Sequence, residues 1–155
     1  MKKIVLISCV SRKGNTKVKA KDLYQGPLFK NSLAYAQSLK PDKIYILSAH
    51  HYLLDLDKEI EPYNVTLSYV SPSQRMRNPN LKVLTKYEAK EWGQTVLDQL
   101  GNIADLKNDK FIILAGQSYT EPIEKGLKNI EKPFEINGRG LRIGERVKYL
   151  LSKLK

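Results

Sequence analysis

The sequence has one cysteine, Cys9, so no internal disulfide can form, and the expected setting is a reducing cytoplasm. It has two histidines, His50 and His51, and neither an H-x-x-x-H nor a C-x-x-C pair, which excludes the common zinc frameworks. No metal or cofactor is expected. No apolar run approaches the ~18 residues of a membrane helix, so no membrane association is expected. The opening "MKKIVLISCV" places two lysines before an apolar run, as a secretory leader does, but the run is short and no small-residue cleavage site follows, so it reads as a first strand. Neither G-x-x-x-x-G-K-[ST] nor G-x-G-x-x-G occurs, which removes the two commonest phosphate loops. Repeats, low-complexity tracts and interdomain linkers are also missing, and the 155 residues read as one domain, 1–155.

Acid is scarce as well. Sixteen Asp and Glu stand against 27 Lys and Arg, giving a formal charge of +11. Residues 1–30 hold eight bases and one acid, Asp22; residues 137–155 hold six bases and one acid, Glu145. Two basic ends around a more acidic centre suit a polyanion laid across an acid-bearing site, and equally a soluble lysine-rich surface. At 41% hydrophobic the chain can bury a core, which excludes global disorder.

"KKIVLISCV", "KIYILSA" and "KFIILAG" are short apolar, β-branched runs without alternation, read as strands buried on both faces. "PLFKNSLAYAQSLK", "TKYEAKEWGQTVLDQLGNI" and "IGERVKYLLSKLK" have helical spacing, the second with a Thr85–Glu88 capping box. "SYTEPIEKGLKNI" reads as a short helix opening at Pro122. "SPSQRMRNPN" reads as an exposed loop, and "NVTLSYV" as an edge strand or extended segment. Strands alternating with helices predict an α/β fold with a mainly parallel sheet. In such sheets ligands bind beyond the carboxyl ends of the strands, here "SCVSRKG", "SAHHYLLD" and "AGQSY".

Candidate residues gather at those ends. Ser8, Cys9 and Lys13 follow the first strand, where amides and a lysine can hold an anion; Cys9 is either a nucleophile or a small packed residue. Asp22 is the only acid in a basic segment, so it stays ionised, as a cation-stabilising group or as a salt-bridged loop aspartate. Tyr24 either stacks on a base or packs on the following helix. His50 and His51, on an extended backbone, would point to opposite sides, with one reaching a pocket. Asp55 and Asp57 form a D-x-D pair. Tyr63 and Asn64, in an E-P-Y-N turn, could read a base by stacking and amide hydrogen bonds. Gly116 marks a close backbone approach beside Gln117, Ser118 and Tyr119. Arg139, between two glycines and near Arg142 and Arg146, is either a phosphate clamp or part of a hairpin-like turn.

The order S-C…K…A-x-D-L-Y…P-L-F, then I-L-S-A…L-L…D…P-Y, then A-G…Y, then G…I-G…L resembles an uncharacterised bacterial and phage domain family. That family is similar in turn to the uracil-DNA-glycosylase-like domain of archaeosine synthases. The resemblance spans nearly the whole chain and rests on Ser8, Cys9, Asp22, Leu23, Tyr24, Ser48, Asp55, Pro62, Tyr63, Gly116 and Tyr119. It implies a three-layer α/β/α sandwich, uracil-DNA-glycosylase-like, with a pocket acting on a nucleobase or its N-glycosidic bond. Two departures stand out: Asn64 replaces an aspartate that often follows Pro-Tyr, and His51-Tyr52 stands where a glycine often precedes "LL". The Gly-Gln-Asp-Pro-Tyr motif of true uracil-DNA glycosylases is missing.

The expected activity is therefore an N-glycosylase or base-exchange reaction on a nucleobase in DNA or RNA. The alternatives are a non-catalytic nucleic-acid-binding module of the same fold and a small-nucleotide hydrolase. In the enzymatic reading Asp22 or Asp55 supplies a carboxylate, and His50 or His51 protonates the base or orients water. Tyr24 and Tyr63 stack on the base, and Lys13, Arg139 and Arg142 hold phosphates.

Overall fold

Apolar continuity decides the architecture. In β1 (Lys3–Ser8) the four successive residues Ile4 to Ile7 are all buried, so both faces of the strand are covered. The computed structural model describes residues 1–155. After β1 come β2 (Val18–Lys19), α1 (Ala20–Leu23), α2 (Pro27–Ser38), β3 (Lys43–Ser48), β4 (Tyr52–Asp55), β5 (Glu59–Ile60), β6 (Val65–Thr66), α3 (Pro72–Arg77) and β7 (Lys82–Val83). The chain continues through α4 (Lys86–Gly101), β8 (Lys110–Leu114), α5 (Gln117–Glu124), β9 (Ile130–Glu131), β10 (Glu135–Ile136), β11 (Arg139–Gly140) and α6 (Ile143–Lys153).

The central sheet has five strands in the order β4-β3-β1-β8-β9. β1 pairs in parallel with β3 (Leu6 opposite Tyr45) and with β8 (Leu6 opposite Ile113), and β9 is parallel to β8. Only β4, on the edge, is antiparallel. The connection from β1 runs one way to β3 and that from β8 the other way to β9. The chain direction therefore switches at the carboxyl ends of β1 and β8, where such sheets open a crevice. Right-handed crossovers that change direction put α2 and α4 on opposite faces. The packing agrees, with α2 against α6 and α4 against α5.

Three local outcomes depart from the sequence reading, and a fourth takes one of its two alternatives. "YLLD" is a strand: residues 49–51 make a tight turn, and β4 runs back along β3 with Tyr52 opposite Ser48 and Asp55 opposite Tyr45. "SPSQRMRNPN" contains α3 rather than only loop, because Ser71 caps it, Pro72 opens it and Gln74 closes a capping box. α5 begins at Gln117, so Pro122 lies inside it and not at its start. The Arg139 segment is a hairpin: Asn137 (φ 52°) and Gly138 (φ 78°) take the left-handed pair of a two-residue turn between β10 and β11. The Thr85–Glu88 capping box forms as read.

Pro122 is accommodated by Gly93 of α4. A Cβ at residue 93 would lie 2.3 Å from the Pro122 carbonyl oxygen and 2.6 Å from its Cβ. Gly93→Ala should therefore force α4 and α5 apart and cost about 1–3 kcal/mol, as overpacked cores do. Gly144→Ala, whose Cβ meets nothing, should be neutral or slightly stabilising. Thermal melts followed by circular dichroism check this; a Gly93→Ala melt at or above wild type would contradict the helix contact.

Candidate functional site

The carboxyl end of β3 is held by a buried serine. The Ser48 hydroxyl accepts the amides of His51 (2.9 Å) and His50 (3.3 Å) and donates to the Tyr63 oxygen at 2.8 Å. Its carbonyl accepts Trp92 Nε1–H from α4 at 2.8 Å. Tyr63 can then donate to the Tyr24 oxygen, 2.5 Å away. At the switch point, the Cys9 thiol donates to the Tyr119 oxygen at 3.3 Å, and the Leu67 amide donates to the same oxygen at 3.4 Å. Ser48, Tyr63 and Tyr24 thus form one hydrogen-bonded chain and Cys9 and Tyr119 a second, which together make a two-part array of hydroxyl and thiol groups under the carboxyl edge.

The phenols of this array are a neutral scaffold. Burial pushes the Tyr24, Tyr63 and Tyr119 hydroxyls far above the ordinary tyrosine range, and the nearby Cys9 adds to each shift. None of them ionises near neutral pH. The rings are also occupied. Tyr24 is fully buried against Phe29, with ring centroids 5.0 Å apart. Tyr63 is stacked on His50 at 5.2 Å, and the Lys13 ammonium lies 4.5 Å from its centroid. Neither ring offers a free face to a base, because both complete the packing beneath the β3–β4 turn. Burial lowers the Lys13 pKa, and no carboxylate lies within ion-pair distance of its ammonium.

The two histidines do not point apart. Residues 49–51 turn rather than extend, and both rings pack on Tyr63 at 5.2 Å, 4.7 Å from each other. His51 is half-buried, but its Nε2 is sealed from solvent and has no hydrogen-bond partner. Burial, then the neighbouring His50 and Lys58, lowers its pKa. His50 is exposed and lines a cleft of about 490 Å³. Tyr52, Lys82, Glu88, Glu91 and Trp92 share that cleft. Tyr52 takes φ 62°, a conformation that costs a bulky residue about 1–2 kcal/mol. The residue is nevertheless 39% exposed and lines the cleft. Glu88 is engaged by Thr85 and Lys82; Glu91 has no hydrogen bond or ion pair to its side chain.

The other expected site residues lie elsewhere. Asp55 is exposed on the edge strand, opposite the middle of β3, and its Oδ1 accepts the Asp57 amide; it is not carried over the carboxyl edge. Asp57 pairs with Lys21 at 3.2 Å. Asp22 lines a second, open cavity of about 600 Å³ with Arg12, Lys21, Lys30 and one edge of Tyr24. Asn64 exchanges two amide hydrogen bonds with Asn78 (2.9 and 2.8 Å). Arg139 is held by Glu145 at 3.2 Å, an arrangement that pulls the Glu145 carboxyl down to about 2. Arg142 is exposed and its amide bonds the same carboxylate. Gly116 marks a close approach, and the group approaching is the end of the Arg146 side chain: a Cβ there would lie 2.9 Å from its Nη2. Ser8 is half-buried at the end of β1.

Glu91 and Trp92 were not singled out from sequence, and Tyr52 only as a departure from the family pattern. Glu88, Glu91, Trp92 and Thr95 recur at helical spacing along α4 and all line the cleft, which is the signal that would have found them. Residues 4–152 match a family described as "Family of unknown function (DUF6884)". The chain belongs to this family. The DUF6884 match covers every residue of the carboxyl-edge array and of the His50 cleft. Comparison with curated proteins gives no match.

His51 generates a pH prediction. Its folded-state pKa is depressed, so between that value and ~6.5 the unfolded chain binds more protons, and stability falls as pH falls through this window. Urea midpoints for wild type should therefore drop between pH 7.5 and pH 5.5, and His51→Phe should flatten that drop. An identical slope in the variant would mean that the burial of Nε2 has no energetic weight.

Proposed function

We propose that this DUF6884 protein is a nucleic-acid base-processing enzyme, an N-glycosylase or base-exchange enzyme, and that the His50 cleft is where it acts. The observation that carries this reading is the placement of an exposed imidazole, an unpaired carboxylate (Glu91) and a strained, half-exposed tyrosine ring (Tyr52) in one cleft at the end of β3. The net charge of +11 supports a polyanionic substrate. The resemblance to uracil-DNA-glycosylase-like domains supports the reaction class.

Each residue has a role that the chemistry requires. The C1′–N bond breaks with its electron pair leaving on the base, and His50 delivers a proton to the base nitrogen. Glu91 faces the sugar cation that develops, and its negative charge stabilises that cation. A water oxygen, or the nitrogen of an incoming base, then bonds to C1′, and Glu91 takes the proton released. Tyr52 stacks on the base before it leaves. Asp22 stays outside the cleft, lining a separate cavity with Arg12, Lys21 and Lys30, so it takes no part in the step.

One observation favours a second reading. Asp22 and Asp55, the carboxylates expected at the centre, are both outside the cleft, which fits a non-catalytic nucleic-acid-binding module.

Single-turnover base release from oligonucleotides carrying normal, damaged and modified bases separates the two. Glu91→Gln and His50→Gln should each lower release by ~10²-fold or more with binding and melting temperature nearly intact. Tyr52→Gly relieves the backbone, so it should melt at or above wild type while losing base affinity. No release by wild type on any substrate would overturn the enzymatic reading in favour of the binding module.

A further inference from the structure

Residues 62–87 contain four bases, Arg75, Arg77, Lys82 and Lys86, and no acid. Within this stretch the chain leaves the sheet after β4 and returns at α4. Its only helix, α3, buries no residue, and Tyr69 and Met76 are 82% and 84% exposed. A segment with so little core would ordinarily be loose, yet this one is tied down by hydrogen bonds. Asn64 and Asn78 exchange amides, and the Arg75 guanidinium donates to the Leu81 carbonyl at 2.6 Å and to the Pro79 carbonyl at 3.2 Å. The β6–β7 ladder closes its base. The chain thus spends backbone and amide hydrogen bonds to present an apolar, basic surface to solvent. Val65 and Lys82, at that base, line the His50 cleft.

We infer that residues 68–82 form a single-strand-binding arm, which grips unpaired nucleic acid and lays it across the His50 cleft. The inference rests on the reading of that cleft as a nucleobase site. Charge complementarity selects the occupant: Lys82 pairs with Glu88, but Arg77 and Lys86 meet no carboxylate and Arg75, held only by carbonyls, keeps its charge, and these match a phosphate backbone. The exposed Tyr69 ring selects an unpaired strand, because a base can stack on it only when it is not already stacked in a duplex. Met76 extends the apolar surface beside Arg75 and Arg77 on α3.

The test is fluorescence anisotropy with a labelled 20-nucleotide single strand and the corresponding duplex, at several salt concentrations. Wild type should prefer the single strand. Tyr69→Ala should weaken single-strand binding roughly 5- to 150-fold. Arg77→Gln should flatten the salt slope by about one phosphate contact. Neither variant should change the melting temperature, since neither side chain is buried. Unchanged single-strand affinity in both variants, or no single-strand binding by wild type, would overturn the arm. So would a concentration-dependent dimer that Tyr69→Ala abolishes, since the surface would then be an interface between copies. If wild type releases base while the arm variants bind normally, the arm is wrong and the cleft reading stands. If the arm variants lose binding and wild type releases no base, the arm stands and the enzymatic reading fails.

Discussion

Ser48 is the point on which the arrangement of this fold's carboxyl edge depends. It is fully buried, and its hydroxyl and carbonyl together take part in four hydrogen bonds reaching the β3–β4 turn, Tyr63 and α4. Each is worth only about 0.5–1.5 kcal/mol net. Losing the hydroxyl, however, leaves the His50 and His51 amides without their acceptor, at about 1–3 kcal/mol for each buried group left without a partner, and leaves Tyr63 with Tyr24 alone. The serine therefore fixes the turn geometry, and through it where His50, His51 and Tyr52 stand. The Trp92 hydrogen bond does the same for α4, and so for Glu91, its neighbour in sequence.

The carboxyl edge is divided into two parts with different physics. Beneath it, tyrosine hydroxyls and the Cys9 thiol satisfy one another in a buried array whose phenols do not ionise. Beside it, in the cleft, an imidazole and a carboxylate face solvent. Such a division makes sense for a site that must hold its turn rigid while leaving its ionisable groups open. The left-handed Tyr52 fits the same account: a glycine would relieve the strain, and the tyrosine places a ring in the cleft instead.

Much of this was legible in the sequence. Uninterrupted apolar runs gave the three central strands, because a strand covered on both faces has no polar side to alternate. The Thr85–Glu88 box gave the start of α4, since capping is local chemistry. The reversal at residues 49–51 was not legible, because no glycine marks it and its strained residue is a tyrosine. That single turn moved Asp55 from the expected site to the edge strand, opposite the middle of β3, and brought both histidines onto one ring. Tyr24 and Tyr63 have the composition of a stacking pair, but their burial is set by Phe29, His50 and Lys13, which only tertiary packing supplies. Arg139 and Asn64 found partners in Glu145 and Asn78, and sequence alone cannot show that a polar residue is already engaged.

The central claim is that a nucleobase enters the cleft beside β3. The most direct measurement is an amide chemical-shift titration of the protein with a short single-stranded oligonucleotide. The account predicts saturable shifts centred on residues 49–52, 65, 82–84 and 88–95, with the sole tryptophan's indole signal among them. Saturable shifts confined to the Arg12–Lys30 cavity or to the α2–α6 face, with the cleft silent, would contradict it.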